Sequence, residues 1–80
     1  MAAAPGFTPH TLSDREVDVV TLVVEGLTNR AIALELHLSA RTVEAHVATA
    51  MRKLQARSRT RLAVLALREG IVPLHPEDGE

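Results

Sequence analysis

Apolar and polar residues fall into four helix-length blocks along this chain, the first three opened by a Ser or Thr and the fourth by Ser58 or Arg59. The first follows Leu12-Ser13-Asp14-Arg15-Glu16. Ser13 can cap a helix, and Glu16, three residues on, completes a capping box. Asp14 and Glu16 also suit the positive end of the helix dipole. The stretch from Val17 to Val24 is rich in Val, and local propensity alone would admit a strand. The cap at Ser13 and a stop at Gly26 favour a helix over about 14–25. Glu16, Val19, Val20 and Val23 then share one face.

Thr28 is the next cap, opening a short helix over 29–36 with Ile32, Ala33 and Leu36 facing inward. Ala31 denies this cap the reciprocal Glu of a capping box. His37-Leu38 makes a tight connection. Ser39 caps a third helix over 40–54, whose apolar residues Val43, Val47, Ala50, Met51 and Leu54 form a helical stripe. After a connector at 55–58, a fourth helix runs over about 59–69, with Gly70 as its stop and Pro73 beyond. Its segment Leu62-Ala63-Val64-Leu65-Ala66-Leu67 is apolar all round and asks for burial on more than one side. Three short neighbours cannot surround it, so a second copy of the chain is the simplest cover. Residues 1–10 read as a loose N-terminal arm or linker remnant, and 73–80 as an acidic mobile tail. The expectation is an all-α fold, a compact four-helix bundle containing a helix-turn-helix over residues 11–72.

Composition narrows the function. With 80 residues the chain holds one small domain. The absence of Cys excludes a disulfide framework, a thiolate metal site and a cysteine nucleophile. His10, His37 and His75 show no metal-ligand spacing. No apolar run is long enough to span a membrane, and the N-terminus lacks a secretion signal, so a cytoplasmic location is expected. There is no His-Glu-x-x-His, no Gly-rich phosphate loop and no nucleophile elbow. An enzyme is therefore not expected, nor a cofactor, a metal or a small-molecule ligand.

Net charge is −1, which argues against a nucleic-acid binder, but its distribution argues the other way. Residues 36–68 carry Arg41, Arg52, Lys53, Arg57, Arg59, Arg61 and Arg68 against Glu44 alone, a formal +6 between acidic flanks. Such a block can form one basic face or simply a solvated helix surface. The two helices over 28–54, joined by a very short turn, have the layout that places a second helix in the DNA major groove. With Val43, Val47, Ala50 and Leu54 inward, the opposite face presents Arg41, Glu44, Ala45, Ala48, Thr49 and Arg52.

Several short motifs now line up in order. They are Leu12-Ser13-Asp14-Arg15-Glu16, Glu25-Gly26-Leu27-Thr28-Asn29-Arg30-Ala31-Ile32-Ala33, and Leu38-Ser39 with Thr42-Val43-Glu44-Ala45-His46-Val47. Arg52-Lys53-Leu54, Arg57-Ser58-Arg59 and an Ala-rich last helix ending at Gly70 follow. In order and spacing they resemble the LuxR-type helix-turn-helix domain of bacterial response regulators and quorum sensors, over about residues 11–72. The resemblance implies a four-helix domain that binds promoter DNA as a homodimer, with the third helix in the groove and the fourth at the dimer contact. By position it places base reading on Glu44, Ala45 and Ala48, with Thr49 on the same outer face. It places Thr28, Asn29, Arg30, Thr42, His46, Arg52 and Lys53 at or near the phosphates, and Arg41 joins them from the outward face. Arg61, Val64, Leu65 and Arg68 are the expected dimer seam.

Two positions depart from the family pattern. Position 44 is often basic and here is Glu; position 31 is often Glu and here is Ala. Glu44 could accept from a cytosine amino group while Ala45 or Ala48 touches a thymine methyl, or Glu44 could repel phosphate. Simpler roles stand beside the functional ones. Thr28 and Ser39 are caps first, compatible with phosphate contact because helix N-termini offer amides. Val43, Val47 and Leu54 are core, Glu16 is half of a cap, and Arg57, Arg59 or Arg61 could pair with acids of the first helix. The expected function is a sequence-specific transcriptional regulator reading a short inverted repeat. RNA polymerase is a further candidate partner. Two rivals remain: a promoter reader like sigma-factor region four, and a helical protein-binding module without DNA binding.

Overall fold

Each helix opens on a hydroxyl that closes its first turn. The computed structural model describes residues 11–72, so the arm and tail expected at 1–10 and 73–80 lie outside the described residues. Helix α1 spans Asp14–Val24, α2 Asn29–Leu36, α3 Ala40–Leu54 and α4 Arg59–Arg68. The side-chain oxygens of Ser13, Thr28, Ser39 and Ser58 accept from the N–H groups of Glu16, Ala31, Thr42 and Arg61 at 3.0–3.1 Å. Each satisfies an amide that the helix itself leaves unpaired. At α1 the box is complete, because Ser13 N–H donates back to Glu16 Oε1 at 2.9 Å.

Each helix also ends alike. The chain turns left-handed at Gly26, His37, Gln55 and Gly70, with φ of 94°, 60°, 58° and 73°. The next residue's N–H then reaches back five positions: Leu27 to Leu22, Leu38 to Ala33, Ala56 to Met51 and Ile71 to Ala66, at 2.8–3.1 Å. These closures consume the last carbonyls and fold an apolar residue back on the core. Two of the four turns lack Gly. His37 and Gln55 accept the steric penalty of a Cβ in that region.

The Val-rich segment is helical because its pattern, not its propensity, decides. Glu16, Val19, Val20 and Val23 are all buried on one face, which a strand would split between two. Thr21, the one hydroxyl in this run, donates to Val17 O at 2.7 Å and stays within the helix. Helix α1 packs on α3 and α4, and α2 on α3. Val19, Val20, Ile32, Val43 and Leu62 fill the centre, while Ala50 and Ala66 let helices approach closely. Leu36 and Met51 are half-buried against this core.

The reading of α4 as apolar on all sides meets a monomer that covers only part of it. Leu62 and Ala66 are buried, Ala63 and Leu65 half-buried, and Val64 and Leu67 are 38% and 37% exposed. Helices α1 and α4 each end one residue earlier than the pattern suggested, at Val24 and Arg68. Among the described residues no helix is long and apolar enough to cross a membrane.

Candidate nucleic-acid interface

The face of α3 opposite its buried stripe is open. Val43, Val47, Ala50 and Leu54 are buried, whereas Arg41, Glu44, Ala45, Ala48 and Arg52 are exposed. This division follows from the 3.6-residue period. Thr42, His46 and Thr49 are half-buried along the flanks of that face. Thr49 therefore sits to the side of the outermost line rather than on it. Ser39 Oγ donates to Thr42 Oγ1 at 2.9 Å while accepting the Thr42 N–H. The two contacts hold the Thr42 hydroxyl at the N-terminal end of α3, next to its cap.

The start of α2 offers a second set of polar groups. Thr28 and Arg30 are exposed, and Asn29 is half-buried. Arg59, at the start of α4, donates to Asn29 Oδ1 at 2.6 Å and to Leu27 O at 2.7 Å. The suggested pairing of Arg59 with acids of α1 is thus replaced by a bridge to the α1–α2 turn. One guanidinium fork satisfies a turn carbonyl and fixes an amide side chain. With its oxygen held by Arg59, the Asn29 side chain is fixed at the start of α2. Nothing local in the sequence announces this bridge, because the partners are 30 and 32 residues apart. Arg57 and Arg61 are exposed.

Lys53 behaves differently from its neighbour Arg52. Its ammonium donates to Glu16 Oε1 at 2.8 Å and to Thr11 O at 3.3 Å. It thereby ties the last turn of α3 to the cap of α1. Burial alone would raise the Glu16 carboxyl. The Lys53 ammonium and the Ser13 N–H more than offset that, and the group sits below the usual carboxylate range. Sequence reading found Glu16 as a capping residue but not its second role as the acceptor of Lys53. Elsewhere on α1, Arg15 and Asp18 form an exposed pair at 3.8 Å.

On α4, Arg61, Val64 and Arg68 are exposed and Leu65 is half-buried. They recur at i, i+3, i+4 and i+7 and so lie on one stripe. No His, Asp or Glu group among the described residues is arranged to hold a metal ion.

Comparison with known proteins bears on this arrangement. Residues 10–66 match the GerE model of bacterial regulatory proteins, luxR family. The chain is 48% identical over 64 residues to the transcriptional regulatory protein FixJ of Rhizobium meliloti, covering 80% of this chain and 31% of that protein. It is 38% identical over 65 residues to the transcriptional regulatory protein LiaR of Bacillus subtilis, covering 80% and 31% respectively. With the nitrate/nitrite response regulator protein NarP of Escherichia coli it shares 40% over 58 residues, covering 72% and 27%. The chain spans about a third of the length of these relatives. It belongs to the luxR family of bacterial regulatory proteins.

Proposed function

We propose that this luxR-family domain regulates transcription by binding promoter DNA as a homodimer, with α3 in the major groove of each half-site. The observation that carries the reading is the open face of α3, with Arg41 and Arg52 at its ends and Glu44, Ala45 and Ala48 between them, in a helix-turn-helix frame. A major groove about 12 Å wide admits one helix presented this way. Base edges fall to Glu44, Ala45 and Ala48, with Thr49 alongside. Phosphates fall to Arg41, Thr42, His46 and Arg52 on α3 and to Thr28, Asn29 and Arg30 at the start of α2. The backbone N–H groups at that helix start also favour an anion. Lys53 supports α3 through Glu16 and is left out of the phosphate set.

The second copy of the chain covers α4. Val64, Leu65 and the flanking Arg61 and Arg68 form a seam that a two-fold axis makes self-complementary. Two recognition helices then enter successive major grooves about 34 Å apart, so the site is an inverted repeat. A cytoplasmic location follows from this role. The luxR match sets aside the sigma-like alternative. A protein-binding module without DNA affinity is the reading that the experiment must exclude.

That experiment is selection from pooled random duplexes, sequenced at low and moderate salt. The expected result is a palindromic site whose affinity falls steeply as salt rises. A chain that retains no duplex at concentrations above about 10⁻⁴ M, the weak end of non-specific binding, refutes the proposal. Replacing Val64 with Asp should abolish the second half-site while a single half-site is still preferred.

A further inference from the structure

The outward face of α3 is sorted by chemistry along its length. Arg41 and Arg52 stand eleven residues apart, about 16 Å of helix at 1.5 Å per residue. Between them the most exposed positions are Glu44, Ala45 and Ala48. The ends of the face are cationic, and its middle offers one carboxylate and two methyl groups.

Folding gives Glu44 no task. It is the fifth residue of α3, beyond the first turn where an acid gains from the helix dipole. The third position, which a capping box would use, is Thr42. Glu44 makes no ion pair among the described residues, although Arg41 lies one turn away.

We propose that Glu44 is a specificity-determining residue that selects cytosine in each half-site, with Ala45 and Ala48 selecting adjacent thymine methyl groups. The proposal rests on the groove-reading function above and names the bases it reads. When the two guanidiniums meet phosphates at the groove walls, the middle of the stripe lies over the base edges. A carboxylate there needs a donor. The groove floor provides two, the amino groups of cytosine and adenine. Adenine sets the N7 acceptor beside its amino group, which repels the second carboxylate oxygen. Guanine presents N7 and O6, and thymine O4, all acceptors. Cytosine has a C–H beside its amino group and is the one base with a donor and no adjacent acceptor. The two alanines are short enough to bring the α3 backbone close, and their methyl groups offer apolar contact to thymine.

The test compares the wild-type chain with Glu44→Ala and Glu44→Lys on the selected duplex, on its single-base variants and on duplexes with uracil in place of thymine. Circular dichroism checks that both variants keep their helix content; the position is exposed, so folding is expected to survive. Wild type should favour cytosine at one base pair per half-site by about 5- to 150-fold, the usual effect of one wrong base pair in a specific site. Glu44→Ala should flatten that preference and leave the others intact. Glu44→Lys should move it to guanine, and uracil should weaken binding at the thymines beside that base pair. Unchanged base preferences in Glu44→Ala, or uniform weakening on every sequence, would overturn the proposal. So would indifference to uracil at every position, for the part assigned to Ala45 and Ala48. A wild-type chain with no salt-sensitive DNA binding overturns the groove-reading function itself, and this inference with it.

Discussion

Replacing Lys53 with Met keeps the apolar stem that lies against the domain and removes the ammonium from Glu16. The cost can be bracketed from the two environments. An exposed ion pair contributes about 0–1 kcal/mol, and losing one partner of a buried pair costs about 3–5 kcal/mol. The Glu16 side chain is 10% exposed and that of Lys53 32%, so the pair lies between these limits. Glu16 keeps its bond from Ser13 N–H and loses the one from Lys53. A hydrogen bond to a charged group is worth about 1.5–3 kcal/mol. The expected loss is therefore about 2 kcal/mol at neutral pH, read by urea unfolding. On a domain this size it corresponds to a fall in Tm of about 8–16 °C.

The pH dependence separates this cause from a generic packing defect. Because the folded state holds the Glu16 carboxyl below its ordinary range, the stability it contributes is fully present above that range. It is lost as pH falls through the lowered folded-state value. In Lys53→Met, burial is opposed only by Ser13, through its N–H and its side chain, so the carboxyl rises and less of that contribution remains. The gap between the two proteins should be widest at neutral pH and should narrow on acidification as Glu16 takes up its proton. Glu16→Gln retains the capping box and should lose a similar amount at neutral pH without the acid dependence. A gap that stays constant from neutral to acid, or a loss below about 0.5 kcal/mol, well under the charged hydrogen-bond range, would refute the reasoning.

Arg52→Ala should weaken binding to every sequence alike. It should also lower the slope of log affinity against log salt by about 0.9, the share of one phosphate contact, as read by titrating a fixed duplex at several salt concentrations. Gln55→Gly should stabilise the domain by about 0.5–1 kcal/mol in thermal unfolding, because relief of the left-handed strain exceeds the added freedom of the unfolded chain. Ser39→Ala should cost about 1 kcal/mol through the lost cap of α3. It should also reduce DNA affinity beyond the effect on folding, since the Thr42 hydroxyl loses the donor that orients it.

The fold was legible because local signals agree with one another. The hydroxyl caps at Ser13, Thr28 and Ser39 and the stops at Gly26 and Gly70 bound the helices to within a residue, and of the two openings Ser58 and Arg59 the cap of α4 is Ser58. Periodicity overrode the β-propensity of Val17–Val24 because one face had to be buried whole. The left-handed turns at His37 and Gln55 were not legible, since any residue with a Cβ enters that region uncommonly. The helix ends impose it there: the N–H groups of Leu38 and Ala56 close back on the carbonyls of Ala33 and Met51, and both side chains pack on the core. At the interface, the outward residues of α3 followed from the period, while the partners of Lys53 and Arg59 did not. Both side chains cross between helices distant in sequence, and one basic residue looks like another until its acceptor is known. Lys53 and Arg52 are adjacent in the chain, yet one reaches the cap of α1 and the other faces solvent.

The near-neutral total charge is a weaker objection to DNA binding than it first looks, because part of the acidity lies away from α3. Charge matters where it lies relative to the screening length, which is about 8 Å at physiological ionic strength. The exposed acids Asp14 and Asp18 lie on the outer side of α1, whose other face packs against the core and α3. Packed helices stand about 8–10 Å apart between axes, and the exposed face of α3 is opposite its buried stripe. The acids of α1 are thus separated from that face by the width of two helices, more than one screening length. Arg41 and Arg52 lie on the face itself, and Arg30 is exposed near the start of α2. A DNA duplex approaching α3 meets these cations, with Glu44 as the acid among them. Asp14 and Asp18 thus lower the net charge of the chain from a surface that the duplex does not sense at physiological salt.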